Sequence, residues 1–277
     1  MVAKKLTEIR VEKPWGRHDL WPGFANPGAD EAAVGEIWFD APSERDAPLL
    51  VKYLFTSERL SIQVHPGNDA ARAAGYPQGK DEAWVILHAE PGAVIALGTK
   101  QTVSAETLRQ AAGDGSIESL VDWKPVEAGD VIYVPAGTVH AIGAGITLIE
   151  VQQNVDLTYR LYDYGRPRPL HLDAGIAVSD PQPFINEARH VDLGSGRSIL
   201  LESPNFIIEQ WQGQATQTIE RDKNPIWLVP VTGTAWVDGT RITAGECWIV
   251  DTGCRIETRE DTKLLLAYQG GSRLILS

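Results

Sequence analysis

Four side chains far apart in the sequence have the types to share one divalent cation: Gln63, His65, Glu82 and His140. Imidazole nitrogen combined with carboxylate and amide oxygen suits zinc and other borderline ions, and a catalytic centre keeps one position open for water or substrate. Gln63 and His65 stand two apart in Leu60-Ser61-Ile62-Gln63-Val64-His65. A period of two sets Leu60, Ile62 and Val64 on one strand face and Ser61, Gln63 and His65 on the other. Glu82 returns on the following strand, and His140 ends the stretch Val134-Pro135-Ala136-Gly137-Thr138-Val139-His140, after a Pro/Gly turn. An ion held this way is a Lewis acid for neighbouring oxygens. Lys80, two residues before Glu82, shares its face and points either at substrate oxygens or into a plain ion pair.

The elements that must position these groups read as β-structure with loops. Strands are expected at Val34 to Phe39, Leu49 to Phe55, Leu60 to His65, Val126 to Val134 and Ile146 to Leu161. Glu82 to Leu87 and Ala93 to Leu97 read as a pair joined across Glu90-Pro91-Gly92. Asn68 to Gly75 reads as one or two helical turns capped by Asn68 or Asp69 and ended by Gly75. Ser104 to Ala112 is the clearest helix, with a Ser104 cap and a Gly113 stop, and a second short helix is expected over Gly115 to Val121. Pro181 to Pro183 suggests a hinge before a second β-rich half.

The 277 residues suffice for one large β domain or two smaller ones with a sizeable core. Hydrophobic residues at 43% and charged residues at 22% are ordinary, which excludes wholesale disorder. A formal net charge of -12 repels nucleic-acid phosphates and anionic lipid, so neither is an expected partner. A small phosphorylated ligand remains compatible, because a few local cations and backbone amides hold one phosphate. No apolar run has signal-peptide or membrane-spanning length, and a cytoplasmic location is expected. Cys247 and Cys254 match no zinc spacing and are expected to be buried, reduced thiols.

The second half echoes the first. Ala128-Gly129-Asp130-Val131-Ile132-Tyr133-Val134 is matched by Ala244-Gly245-Glu246-Cys247-Trp248-Ile249-Val250, and Ala83-Trp84-Val85-Ile86-Leu87 by Ile226-Trp227-Leu228-Val229-Pro230. Two repeats in the same order imply two copies of one fold. In this register His140 falls on Ile256 and Glu82 on Pro225, and no histidine follows His190, so a metal belongs to the first half. A β unit of about 90 residues with a Gly-bounded strand, a Pro/Gly turn and an inward His is the pattern of a small jelly roll and resembles the cupins. The expected fold is therefore all-β: two tandem cupin barrels with a small helical insert in the first, residues 1–185 carrying the metal site and residues 186–277 forming a degenerate copy.

A more specific resemblance rests on Leu60 to Pro66, Gly79-Lys80-Asp81-Glu82-Ala83-Trp84, Ala89-Glu90-Pro91-Gly92, Val134 to His140 and Pro14-Trp15-Gly16. In order and spacing, over most of residues 10–166, these are similar to the motifs of the type I mannose-6-phosphate isomerases. The resemblance implies one zinc ion per chain on Gln63, His65, Glu82 and His140. It also implies interconversion of mannose 6-phosphate and fructose 6-phosphate through a cis-enediol, by movement of a proton between C1 and C2. By the same resemblance Glu150 would be the base, Arg160 would stabilise the enediolate charge, and Ser61 would contact phosphate. Longer members follow their arginine with Gly-Leu-Thr-Pro-Lys, whose lysine helps hold phosphate; here the segment is Leu161-Tyr162-Asp163-Tyr164-Gly165-Arg166, as in the short bacterial branch, and Arg166 is the expected replacement.

Two other readings share the fold. A cupin dioxygenase would use iron in a similar pocket, but such sites usually have more histidines than the two offered here. A non-enzymatic sugar-binding cupin would keep the pocket without turnover. His18, His88, His171 and His190 are expected to be structural or exposed, and Trp15, Trp38 and Trp84 to fill core, with Trp15 beside Gly16 a candidate for the cleft wall. Oligomeric state has no sequence signature here.

Overall fold

The computed structural model describes residues 3–40, 47–186, 188–220, 224–250 and 253–277, almost all of them in or between antiparallel strands. In the first half a six-stranded sheet runs in the order Thr7–Arg17, Val34–Asp40, Leu49–Thr56, Ile146–Gln153, Glu82–Ala89, Val131–Val134. Facing it is a five-stranded sheet: Tyr159–Tyr162, Ile62–Val64, His140–Ile142, Val94–Thr99, Val121–Pro125. The second half holds a seven-stranded and a four-stranded sheet. Lys4–Lys5 pairs with Trp248–Val250, so the start of the chain is an edge of the second half's larger sheet.

Alternation along the strands of the six-stranded sheet explains both the packing and the site. In Leu49–Thr56, Leu49, Val51, Tyr53 and Phe55 face a core shared with Phe206, Trp227, Val229 and Leu265 of the second half. The intervening positions face inward, toward the five-stranded sheet: Leu54 joins a core with Trp84, Ile86, Ile95 and Leu148, while Lys52 points into a cleft. The neighbours obey the same period of two. Ile37 and Phe39 face the second half, as do Val151, Ile149, Ala83 and Val85. Glu36, Trp38, Glu150 and Glu82 take the inward positions. Because both faces are covered, burying these strands removes a large apolar area from water at about 25 cal/mol per Å², and only the few inward polar positions interrupt it.

The helix Ala105–Asp114 covers the outer side of the five-stranded sheet, with Leu108, Ala111 and Ala112 against Ile62, Val64 and Leu161. Ser104 caps it, accepting from the Thr107 amide at 3.0 Å. The stop is Gly115 at φ 85°, not Gly113, because the helix continues until a residue free to turn left-handed is reached. Asn68–Ala73 forms the expected short helix, but Gly67 occupies its N-cap without a side-chain bond. Asn68 instead accepts from the Gly79 amide at 2.9 Å and from Gln153 Nε2 at 3.1 Å, bracing the approach to Glu82.

Other expectations are corrected. Glu82–Ala89 and Val94–Thr99 do not pair with each other: the Glu90-Pro91-Gly92 turn carries the chain from the six-stranded to the five-stranded sheet. The apolar stretch after Ile146 breaks at Asn154 into Ile146–Gln153 and Tyr159–Tyr162, again one strand in each sheet. The Pro181 to Pro183 segment is not a free hinge, since the Thr99 amide donates to Gln182 O and the Val103 amide to Pro181 O. The repeat register shifts by one. Glu82 pairs with Val134 and Ile226 with Val250, so Ile226, not Pro225, stands where Glu82 does. Cys247 and Cys254 are free and buried, as expected. No helix among the described residues is long and apolar enough to cross a membrane.

Candidate metal centre and cleft

Strand pairing assembles the four expected ligands from both sheets. Gln63 lies directly opposite His140, and Arg160 opposite Gln63, giving three neighbouring strands of the five-stranded sheet. Glu82, the first residue of its strand, reaches them from the six-stranded sheet. Its carboxylate oxygens lie 3.2 Å from His65 Nε2 and 3.3 Å from His140 Nε2. One donor atom from each of His65, Glu82 and His140 lies within 4.8 Å of the other two, and all three residues are buried.

The protonation pattern decides what this cluster can hold. His65 Nδ1 donates to Leu157 O and His140 Nδ1 to Thr138 O, both at 2.9 Å, so each Nε2 presents its lone pair to the centre. Burial, together with the Lys80 ammonium, pushes His65 down to about 3, and burial likewise lowers His140. Two neutral imidazole lone pairs therefore face a carboxylate. Burial alone would raise Glu82, but Lys80 together with His65 and His140 outweighs it and holds the carboxyl well below the usual range. Its Oε2 is buried and accepts no well-formed hydrogen bond, although Lys80 Nζ lies 3.0 Å away. Lys80 Nζ, also 3.3 Å from His65 Nε2, brings one cation to the edge of this group of lone pairs and anion, and the spacings suit ligand atoms sharing a small ion at bonds of roughly 2.0–2.2 Å. The donor set fits zinc. Gln63 Nε2 sits 3.3 Å from His140 Nε2, and its Oε1 accepts from Ser61 Oγ at 3.1 Å. A half-turn of that amide presents oxygen to the centre and its NH2 to Ser61.

Beside the cluster opens a cleft of about 210 Å³. Ser61, Gln63, Lys80, Glu150 and Arg160 all line it, as does Trp15, while Trp84 is fully buried with its ring edge against His140. Glu150 is pushed up, first by burial and then by the Glu82 carboxylate, despite Lys80 at 3.8 Å and Lys52 at 3.4 Å. Lys80 is held above its usual range because Glu82 and Glu150 outweigh its burial. Arg160 donates through Nη1 to Pro169 O at 2.9 Å, and its buried Nε has no partner.

Arg166 is not brought to the cleft. Its guanidinium is turned to Asp163 and to the carbonyl of Arg59. Two residues on, Arg168 lines the cleft, gripped in a fork by Asp163 at 2.7 and 2.6 Å. Sequence reasoning also passed over an inner row of charges: Lys13 lies 3.2 Å from Glu36, and Lys52 lies 4.3 Å above the Trp38 ring and 3.4 Å from Glu150. Their signal was available, since Lys52 is the one charge in Leu49-Leu50-Val51-Lys52-Tyr53-Leu54-Phe55. His171, expected to be structural or exposed, accepts from the Arg160 amide through Nδ1 at 3.2 Å.

No family model matches the chain. The mannose-6-phosphate isomerase of Streptococcus mutans is 40% identical over 173 residues, 60% of this chain and 54% of that protein. ManA of Bacillus subtilis, also a mannose-6-phosphate isomerase, is 36% identical over 195 residues, 66% of this chain and 61% of that one. The chain thus matches little more than half the length of these curated relatives. Among solved structures, the mannose 6-phosphate isomerase of Bacillus subtilis superposes with a TM-score of 0.81 at 23% identity, covering 96% of this chain and 99% of the other. A zinc-bound holo mannose 6-phosphate isomerase superposes with a TM-score of 0.76 at 16% identity, over 98% and 100% of the two chains. In sequence the chain is thus similar to mannose-6-phosphate isomerases over about 60% of its length, and along nearly its whole length it shares the fold of the solved ones.

Proposed function

We propose that the protein is a metal-dependent aldose-ketose isomerase interconverting mannose 6-phosphate and fructose 6-phosphate. The observation that carries the proposal is the buried cluster of two neutral imidazoles and an anion, opening beside Glu150, Lys80 and Arg160. Gln63, His65, Glu82 and His140 would hold one zinc ion, which when bound supplies Lewis-acid polarisation of the sugar's C1 and C2 oxygens.

The chain's own groups account for the rest. Glu150 takes the proton from C2 of the open-chain aldose and returns it to C1 while the hydroxyl proton passes from O2 to O1, giving the ketose by way of a cis-enediol. A carboxyl raised toward neutrality by burial suits a group that must both accept and release a proton. Lys80, held as an ammonium, faces the same space and stabilises negative charge that develops on oxygen. Arg160, with its unpartnered Nε, serves the enediolate, and Ser61 with Arg168 is the anchor for the phosphate in place of Arg166. Arg168 suits that task because Asp163 fixes its fork, so little rotamer freedom is lost when an anion arrives. Residues 186–277 form a second, ligand-free β unit that backs the first. The proposal is tested by metal analysis and a coupled assay for fructose 6-phosphate on the wild type and on His140→Ala. Joint loss of zinc and turnover is expected; an active, metal-free wild type refutes it.

A further inference from the structure

The residue between Lys80 and Glu82 is oriented away from the cleft and bonded to three other segments. Asp81 Oδ1 accepts from the Ala136 amide at 2.9 Å, inside the turn that leads to His140. Its Oδ2 accepts from Tyr133 OH at 2.5 Å and from Asn205 Nδ2 at 2.7 Å. One carboxylate thus joins the start of the Glu82 strand to the His140 turn, and that turn is joined in its own right to His65 O by the Gly137 amide at 2.8 Å. Asn205 is the only one of the three donors that comes from the second half.

The Asn205 side is itself firmly built. Ser203 N donates to Phe206 O at 3.0 Å, Ser203 Oγ accepts from the Phe206 amide at 3.1 Å, and the Gly270 amide donates to Asn205 O at 3.1 Å. Phe206 presents an edge to the Tyr133 ring, with centroids 6.2 Å apart. A braced turn of the second half therefore holds a carboxylate adjacent to one candidate ligand and bonded to the loop of another.

We propose that Asn205 is a positioning residue for the metal centre: through Asp81, the second half of the chain sets the separation of Glu82 and His140. The inference rests on the metal reading given above. A hydrogen bond to an ionised carboxylate is among the stronger neutral-to-charged contacts. Partners one shell beyond a ligand typically change metal affinity by 10–100-fold, and Asn205, one bond further out, is expected at the lower end.

The test is zinc affinity of the full chain by competition with a chromophoric chelator, for the wild type, Asn205→Ala, Asn205→Asp and Ser203→Ala. Asn205→Ala is expected to weaken zinc about tenfold. Asn205→Asp is expected to weaken it further by setting two carboxylates face to face, and kcat falls in both with KM unchanged, since Asn205 does not line the cleft. Ser203→Ala loosens the brace behind Asn205 without removing its bond to Asp81, and is expected to weaken zinc less than Asn205→Ala does. Wild-type affinity in both Asn205 variants overturns the inference, as does an equal loss in Ser203→Ala. A wild type that takes up no zinc overturns the metal reading and this inference together, an outcome distinct from the other two.

Discussion

Removing the Lys52 ammonium should be costly and its cost should depend on pH. The Lys52 and Glu150 side chains are 5% and 6% exposed, with Nζ 3.4 Å from Oε1. At an effective dielectric constant of about 20, that separation corresponds to about 5 kcal/mol of attraction. Lys52→Met keeps the length and apolar stem but leaves Glu150 and Glu36 facing each other across a buried gap, and breaking such a pair typically costs about 3–5 kcal/mol. With an m value of about 3 kcal/mol/M, the urea midpoint at pH 7 should fall by about 1–1.7 M. The sign of the pH dependence follows from Glu150, whose folded-state pKa is already raised and rises further without Lys52. An acid with a raised folded pKa binds its proton more tightly in the native state, so stability falls as pH climbs from its unfolded value through the raised one. The deficit of Lys52→Met should therefore shrink near pH 5 and widen toward pH 8. Adding Glu150→Gln, which removes the stranded anion, should recover a large part of the loss at pH 7. A Lys52→Met protein within about 1 kcal/mol of wild type, or a double variant no more stable than the single, would refute the reasoning.

Two further outcomes discriminate between groups. Arg168→Met should raise KM for a phosphorylated sugar by 10-fold or more (about 1.4 kcal/mol per decade) with little change in kcat, while Arg166→Met leaves KM unchanged, because only Arg168 lines the cleft; steady-state kinetics on the two variants decides it. Chelation of the metal should lower the melting temperature: free zinc at about 100 Kd contributes roughly 2.7 kcal/mol, or about 5–10 °C for a chain of this size. In Glu82→Gln that chelator-dependent shift should vanish, and a shift that persists would place the ion elsewhere.

The candidate site was legible in the sequence where its residues sit at fixed offsets within single strands or turns. Ser61 and Gln63 share a face by alternation alone, and the structure brings Ser61 Oγ to 3.1 Å from Gln63 Oε1. What could not be read was everything set by pairing between distant segments. Glu82–Ala89 and Val94–Thr99 look like a hairpin, yet a turn that leads between two facing sheets has the same composition as one that closes a pair. The one-residue shift in the repeat has a related origin: the aligned segments 83–87 and 226–230 are apolar throughout, so an alignment on Trp84 and Trp227 scores as well as the spatial one, which puts Trp84 inward and Trp227 in the shared core. Arg166 and Arg168 are indistinguishable by spacing, and only the Asp163 fork selects between them. Asn205 carries no local sign of its role, since its partner lies 124 positions away.

The inner row of charges also explains how an acidic protein can attract an anionic ligand. Across adjacent strands the row reads Lys13, Glu36, Lys52, Glu150 and Glu82, with Lys80 between the last two, so three cations offset three anions when all are ionised. Burying such a row costs desolvation energy that apolar side chains would avoid, and its pairing recovers only part of that cost. Stability alone therefore gives no reason to keep it. A divalent ion added at the Glu82 end leaves the row with a net charge of about +2, and Arg160 and Arg168 stand at the same cleft. The remaining surface carries the excess acid behind the -12 total, so field lines converge on one positive cleft with low-dielectric walls. On this argument the row holds Glu150 and Lys80 in opposite protonation states side by side, and a divalent ion bound at its Glu82 end would turn a neutral ladder into a receptor for an anionic ligand.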